Sequence, residues 1–193
     1  MVSFDEQAIL DNGAYIYNQR AEIERIADEI CEKGFDSIFF TSSGGSLAMM
    51  QPFDYMVSVM SDIPVQSQVS ADFLTVGNRR IGKGTLAFMA SKSGDTKETV
   101  AAAKAAKDAG CTIVSTLGVD GSPLGELSDY GVIYKQGRPM ELVLYLLIGK
   151  ILKNRGFFDD YDRFADELVN LPAALVSVGK NADEMARAYA LKH

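Results

Sequence analysis

The chain has 193 residues, of which 47% are hydrophobic, 23% charged and 9% aromatic, the profile of a globular protein with one substantial core. A chain of this length buries roughly 70% of its unfolded surface, so it needs neither disulfides nor a structural metal, and Cys31 and Cys111 carry no framework role. The formal net charge of -7 argues against nucleic acid as a partner. The opening MVSFDEQAIL lacks the features of a signal peptide, and the most apolar segment, Leu142 to Leu152, is short and carries Lys150, so a cytoplasmic protein with no membrane partner is expected.

Along the chain, Ile9, Ile16, Ile23, Ile26 and Ile30 recur at helical spacing between Asp5 and Lys33, and Gly34 closes the run. This predicts an N-terminal helical arm, readable as two helices broken near Gly13. Ser37 to Phe40 shows no alternation and reads as a strand buried on both faces. A helix from about Leu47 to Met60 follows, then strands at Val65 to Val69 and Leu86 to Ala90. An alanine-rich helix, Lys97 to Ala109, leads through Gly110 to a strand at Thr112 to Thr116. After a short acidic helix, Val132 to Tyr134 reads as the fifth strand, and a leucine-rich helix starts from Pro139.

Strands alternating with helices through short glycine-bearing loops predict an α/β fold. It is a five-stranded parallel sheet in a flavodoxin-like three-layer α/β/α arrangement, with strand order 2-1-3-4-5. Beyond Gly156 no strand signal remains, and two amphipathic helices are expected, around Asp159 to Val169 and from Pro172 onward. The chain thus divides into a helical arm (1–35), a sheet domain (36–153) and a helical tail (154–193), the last readable as a linker to a second domain.

Ligands of doubly wound sheets bind beyond the carboxyl ends of the strands, at the switch point. Two loops qualify: Ser42-Ser43-Gly44-Gly45-Ser46 after the first strand, and Ser91-Lys92-Ser93-Gly94-Asp95-Thr96 after the third. Glycine lets backbone amides approach an anion, hydroxyls donate without bulk, and the following helix favours negative charge. Both loops suit a phosphate, although serine and glycine are also ordinary turn and cap residues. No Walker loop or dinucleotide fingerprint is present, and one histidine with two isolated cysteines makes a metal site or a histidine-based triad unexpected, so no cofactor is anticipated.

The segment Ser91-Lys-Ser-Gly-Asp-Thr96 resembles the S-x-S-G-x-T loop of SIS (sugar isomerase) domains, and Ser43-Gly-Gly-Ser46 is similar to the loop after their first strand. Gly110-Cys-Thr-Ile-Val-Ser-Thr116, Ser122-Pro-Leu124 and Asp129 are similar to the fourth strand and the turn that follows it, so the resemblance covers about residues 36–153. It implies the SIS fold and a phosphosugar ligand. Ser91, Ser93 and Thr96 would hold the phosphate by hydroxyl, the backbones of Lys92 and Gly94 would assist, and Ser46, Ser43 and Gly45 would reach the sugar or phosphate from the first loop. The Lys92 side chain is expected to point outward more readily than to pair with the phosphate.

Within the family the first loop and the helical flanks look most like the first half of fructosamine 6-phosphate deglycases, which resemble the isomerase part of glucosamine 6-phosphate synthase. The short Lys135 to Met140 segment favours the deglycase branch. Such enzymes pair two SIS domains, and their essential glutamate and histidine come from the second half, which the resemblance places outside this chain. The expectation is therefore part of a sugar-phosphate deglycase or isomerase, with a phosphorylated sugar or sugar-amine adduct as ligand. The alternative is a non-catalytic phosphosugar-sensing or dimerisation module.

Proton transfer at a sugar carbon needs a base. Glu141, in the first turn of the helix after the fifth strand, is the candidate within the chain, although an acidic residue there also suits the helix dipole. His193 reads as a terminal residue and Arg138 as a loop residue within reach of a ligand carboxylate or phosphate. Met49, Met50, Met56 and Met60 read as core or interface filler. Apolar stripes on the arm and tail exceed what one sheet can cover, so a homo-oligomer or packing on a second half is expected.

Overall fold

A computed structural model describes residues 5–135 and 139–190. Five parallel strands, β1 (Ser37–Ser42), β2 (Val65–Val69), β3 (Thr85–Ser91), β4 (Thr112–Leu117) and β5 (Tyr130–Ile133), form one sheet in the order β2-β1-β3-β4-β5. This is the order the sequence predicts.

Strands β1, β3 and β4 are buried almost throughout, which explains their unbroken apolar runs. Successive residues point to opposite faces. Phe40, Phe88, Val114 and Val132 therefore pack with the apolar sides of α2 (Arg20–Lys33), α3 (Gly44–Met60) and α7 (Glu141–Asn154). Phe39, Ala87, Met89 and Ile113 face α5 (Lys97–Asp108) on the other side, where Ala102, Ala103 and Ala106 let that helix approach closely. Of the four methionines on α3, Met50 is fully buried and Met49, Met56 and Met60 pack partly buried against the same core.

The N-terminal arm is two helices, α1 (Glu6–Tyr17) and α2, but the break falls at Asn18 and Gln19, not near Gly13. Gly13 lies inside α1 because the absent side chain makes room for another helix. A Cβ there would stand 2.1 Å from Cγ of Pro172 at the start of α9 (Leu171–Ala190). A short helix that the periodicity does not signal, α4 (Ser70–Val76), follows β2, and α6 (Pro123–Leu127) is the short helix expected after β4. Beyond α7 come α8 (Tyr161–Glu167), a 3-10 turn (Leu168–Asn170) and α9. Among the described residues no helix is long and apolar enough to cross a membrane.

Candidate functional site

The sheet order reverses between β1 and β3, and the crossover helices α3 and α5 leave to opposite faces there. The two serine-glycine loops lie at this switch point, where the carboxyl ends of adjacent strands leave a crevice. The strand ends are tied below the loops. The Ser42 hydroxyl donates to the Ala90 carbonyl at 2.5 Å and accepts from the Ala90 N–H at 3.2 Å.

In the first loop Ser43 is the N-cap of α3, and its hydroxyl makes no cap bond to the helix. That hydroxyl instead meets the Thr99 hydroxyl, 3.4 Å away on α5, so the first loop is joined to the helix that carries the second. Gly44 and Gly45 are exposed, with open space where a Cβ would stand, and Ser46 is half-buried in the first turn.

The second loop is organised around Ser91, whose buried hydroxyl accepts the Gly94 N–H at 2.9 Å and shares a hydrogen bond with the Thr96 hydroxyl at 3.2 Å. Thr96 is the N-cap of α5 and likewise makes no side-chain cap bond. Both helices thus present first-turn N–H groups toward the crevice without a side-chain acceptor from their caps, an arrangement that attracts an anion. Lys92 and Ser93 are exposed.

A third segment supports the second loop from behind. Gly94 adopts φ +73°, and a Cβ there would lie 2.1 Å from the Ser122 hydroxyl oxygen, so the turn closes directly on the segment after β4. The Gly94 carbonyl accepts the Leu124 N–H at 2.9 Å, and the Ser91 carbonyl accepts the Gly118 N–H at 3.2 Å. At Gly118 a Cβ would stand 2.2 Å from the Lys92 carbonyl oxygen. Lys92, Gly94 and Ser91 are therefore held by residues of the β4–α6 segment.

Of the residues singled out in the sequence, Ser43, Gly45 and Ser46 lie on one wall of the crevice, and Ser91, Lys92, Ser93, Gly94 and Thr96 form the other. The Ser91 hydroxyl is engaged within the loop, with the Gly94 N–H and the Thr96 hydroxyl. Glu141 is half-buried as the first residue of α7, and its charge helps burial push the Tyr134 phenol up to about 12. Arg138 and His193 lie outside the described residues.

Sequence reading missed Thr99 and the supporting contacts of Gly118 and Ser122. A buried threonine one turn after Thr96, in a helix otherwise lined by alanine, was the available signal for Thr99. Among the described residues no group of three or more His, Cys, Asp or Glu side chains could hold a metal ion.

The sequence profile of the SIS domain matches residues 33–148. The chain is 31% identical over 158 residues to a glutamine–fructose-6-phosphate aminotransferase (isomerizing) of Thermotoga maritima, covering 76% of this chain and 26% of that protein. It is 27% identical over 179 residues to the fructosamine deglycase FrlB of Bacillus subtilis, covering 87% of this chain and 55% of that protein. The crystal structure of a candidate phosphosugar isomerase from Salmonella typhimurium superposes with a TM-score of 0.81 at 25% identity, over 89% of this chain and 54% of that one. The chain thus spans about a quarter of the first of these proteins and about half of the other two. Sheet order, switch-point loops and a profile match over more than half its length agree: the chain belongs to the SIS domain family.

Proposed function

We propose that this chain is the phosphosugar-binding domain of a sugar-phosphate deglycase or isomerase of fructosamine 6-phosphate deglycase type, and that it binds the phosphate between its two serine-glycine loops. The observation that carries the reading is the pair of N-cap residues, Ser43 and Thr96, on facing walls of the crevice, neither of which caps its own helix. A phosphate placed between α3 and α5 would accept from both first turns and from the hydroxyls of Ser93 and Thr96, with Lys92 backbone assisting. The sugar would extend toward Ser46 and toward Gly45, at which an added Cβ would meet nothing within 4 Å among the described residues.

Removing an amine from a ketose adduct, or shifting the carbonyl between C1 and C2, requires proton transfer at the adjacent carbon and opening of the ring. The loops supply position and charge stabilisation. Glu141 is the candidate carboxylate within this chain for proton transfer, with the essential base and ring-opening acid coming from a second domain. The names of the B. subtilis and T. maritima relatives support a ketose 6-phosphate or its amine adduct as the substrate class.

The test is thermal stabilisation by fructose 6-phosphate and by inorganic phosphate. Ligand at about 100 times Kd stabilises by about 2.7 kcal/mol. That gain should vanish at the same concentration in a Ser93→Ala/Thr96→Val variant, which spares the structural Ser91. Absence of stabilisation in the unaltered chain overturns the reading. Release of lysine and glucose 6-phosphate from fructoselysine 6-phosphate and water, assayed with this chain alone and joined to a second SIS domain, separates an enzyme from a phosphosugar sensor.

A further inference from the structure

The N-terminal arm meets the carboxyl end of the sheet where α1 ends. The Gln19 side-chain amide donates to the Ile133 carbonyl at 3.1 Å and to the Tyr15 carbonyl at 3.3 Å, which pins the end of α1 to the end of β5. Two residues beyond Ile133 the arm makes a second contact. The ammonium of Lys135 lies over the Tyr15 ring, 3.9 Å from its centroid.

Lys135 also carries a signal in its backbone. At φ +58° it is the only described residue other than glycine in the left-handed region, a conformation that strains a residue with a side chain and persists where the surroundings hold it. The Tyr134 N–H still donates to the Leu117 carbonyl at 2.8 Å, so the chain turns away from β4 at Lys135 itself. The contact between cation and ring holds the lysine side chain on the arm while its backbone makes that turn.

The turn brings the Lys135 carbonyl to Gly118. A Cβ on Gly118 would stand 3.2 Å from the Lys135 carbonyl oxygen and 2.2 Å from that of Lys92. Both oxygens thus crowd into the space that a side chain would take, and the placement of one limits the other. The Gly118 N–H meanwhile donates to the Ser91 carbonyl, so the same glycine holds the start of the second loop. A planar trans peptide points its carbonyl and its N–H in opposite directions. With the Lys92 carbonyl turned in to Gly118, the Ser93 N–H is turned away from the β4–α6 segment, the direction in which an anion above the loop would meet it.

We propose that Tyr15 and Lys135 are positioning residues for the second loop. The arm holds Lys135 in its left-handed turn, and the Lys135 carbonyl at Gly118 sets the orientation of the Lys92–Ser93 peptide. Neither side chain touches the ligand. The inference rests on the reading that this loop binds phosphate.

Two measurements test it: calorimetric titration with inorganic phosphate, and hydrogen exchange, without ligand, of the Gly94 amide that is bonded to the Ser91 hydroxyl. Tyr15→Leu and Lys135→Met keep apolar bulk and remove the contact. Each should weaken phosphate binding about two- to fivefold and quicken exchange at Gly94. Tyr15→Phe and Lys135→Arg keep ring and cation and should match the unaltered chain. The double variant Tyr15→Leu/Lys135→Met should lose no more than either single one, because the same contact is removed. Unchanged affinity and exchange in Tyr15→Leu overturn the proposal. So do additive losses in the double variant, or losses in the phenylalanine and arginine variants that equal those of leucine and methionine. Failure of the unaltered chain to bind phosphate is a separate result that overturns the reading of the site, and exchange at Gly94 then decides alone whether the arm positions the loop.

Discussion

The Thr99 hydroxyl lies 3.4 Å from the Ser43 hydroxyl and spans the crevice between α5 and α3. Thr99 is fully buried, and Ser43 is the N-cap of α3. This hydroxyl pair, above the Ser42–Ala90 hydrogen bonds, ties the two walls between which we propose the phosphate binds. Thr99→Val keeps the shape and removes the donor. Loss of such a bond costs about 1 kcal/mol, and the freed wall should weaken fructose 6-phosphate binding several-fold. Calorimetric titration and thermal melting of the same variant measure the two effects. Undiminished affinity would mean that the walls are held by the sheet alone.

Gly94 and Gly118 act on the second loop by a different route, through space that only glycine leaves. Alanine at 94 would carry its Cβ into the Ser122 side chain at φ +73°, a conformation that costs a non-glycine residue about 1–2 kcal/mol. Alanine at 118 would meet the Lys92 carbonyl, which is backbone and must move with the loop. Both variants should fold with lowered melting temperature and lose stabilisation by inorganic phosphate as well as by fructose 6-phosphate. Retention of phosphate binding in Gly118→Ala would show that the loop tolerates displacement of Lys92.

Two buried tyrosines offer a contrast in hydroxyl chemistry. The Tyr161 hydroxyl is shared between the Leu146 carbonyl and Glu24, each at 3.0 Å, whereas the Tyr134 hydroxyl has no hydrogen-bond partner among the described residues. Tyr161→Phe should therefore destabilise by about 1–2 kcal/mol, while Tyr134→Phe should be neutral or stabilise by up to about 1 kcal/mol. Burial, then the charge of Glu141, pushes the Tyr134 phenol from its ordinary 10 up to about 12. The folded chain holds that proton more tightly than the unfolded one, so its contribution is full below pH 10 and is lost as pH rises toward 12. Tyr134→Phe should flatten the fall in stability across that window, as measured by denaturant titration at a series of alkaline pH values.

The sheet was legible because its signals are local. Unbroken apolar runs at Ile38 to Phe40 and Leu86 to Ala90 mark strands buried on both faces, and the glycines between elements mark their ends. The two loops were legible from residue type alone. What the sequence concealed are contacts between distant segments, such as Thr99 with Ser43, Gly94 with Ser122 and Gly13 with Pro172. Gly13 shows why. A glycine within a helical pattern reads as a break when only local propensity is weighed, and as a close approach only when the partner helix is known.

That close approach gives the last prediction. A Cβ on residue 13 would stand 2.1 Å and 2.7 Å from two ring carbons of Pro172, and the ring cannot rotate away. Alanine ordinarily stabilises a helix interior relative to glycine by about 1 kcal/mol. Here Gly13→Ala should do the reverse, costing about 1–3 kcal/mol as α1 and α9 are forced apart. The damage should stay local to the arm. Hydrogen exchange should quicken in α1 and in α9 near Pro172, while amides of β1, β3 and β4 keep their protection and fructose 6-phosphate still binds. Stabilisation by Gly13→Ala in thermal melts would mean that the two helices separate without cost and that the α1–α9 contact adds little to the fold.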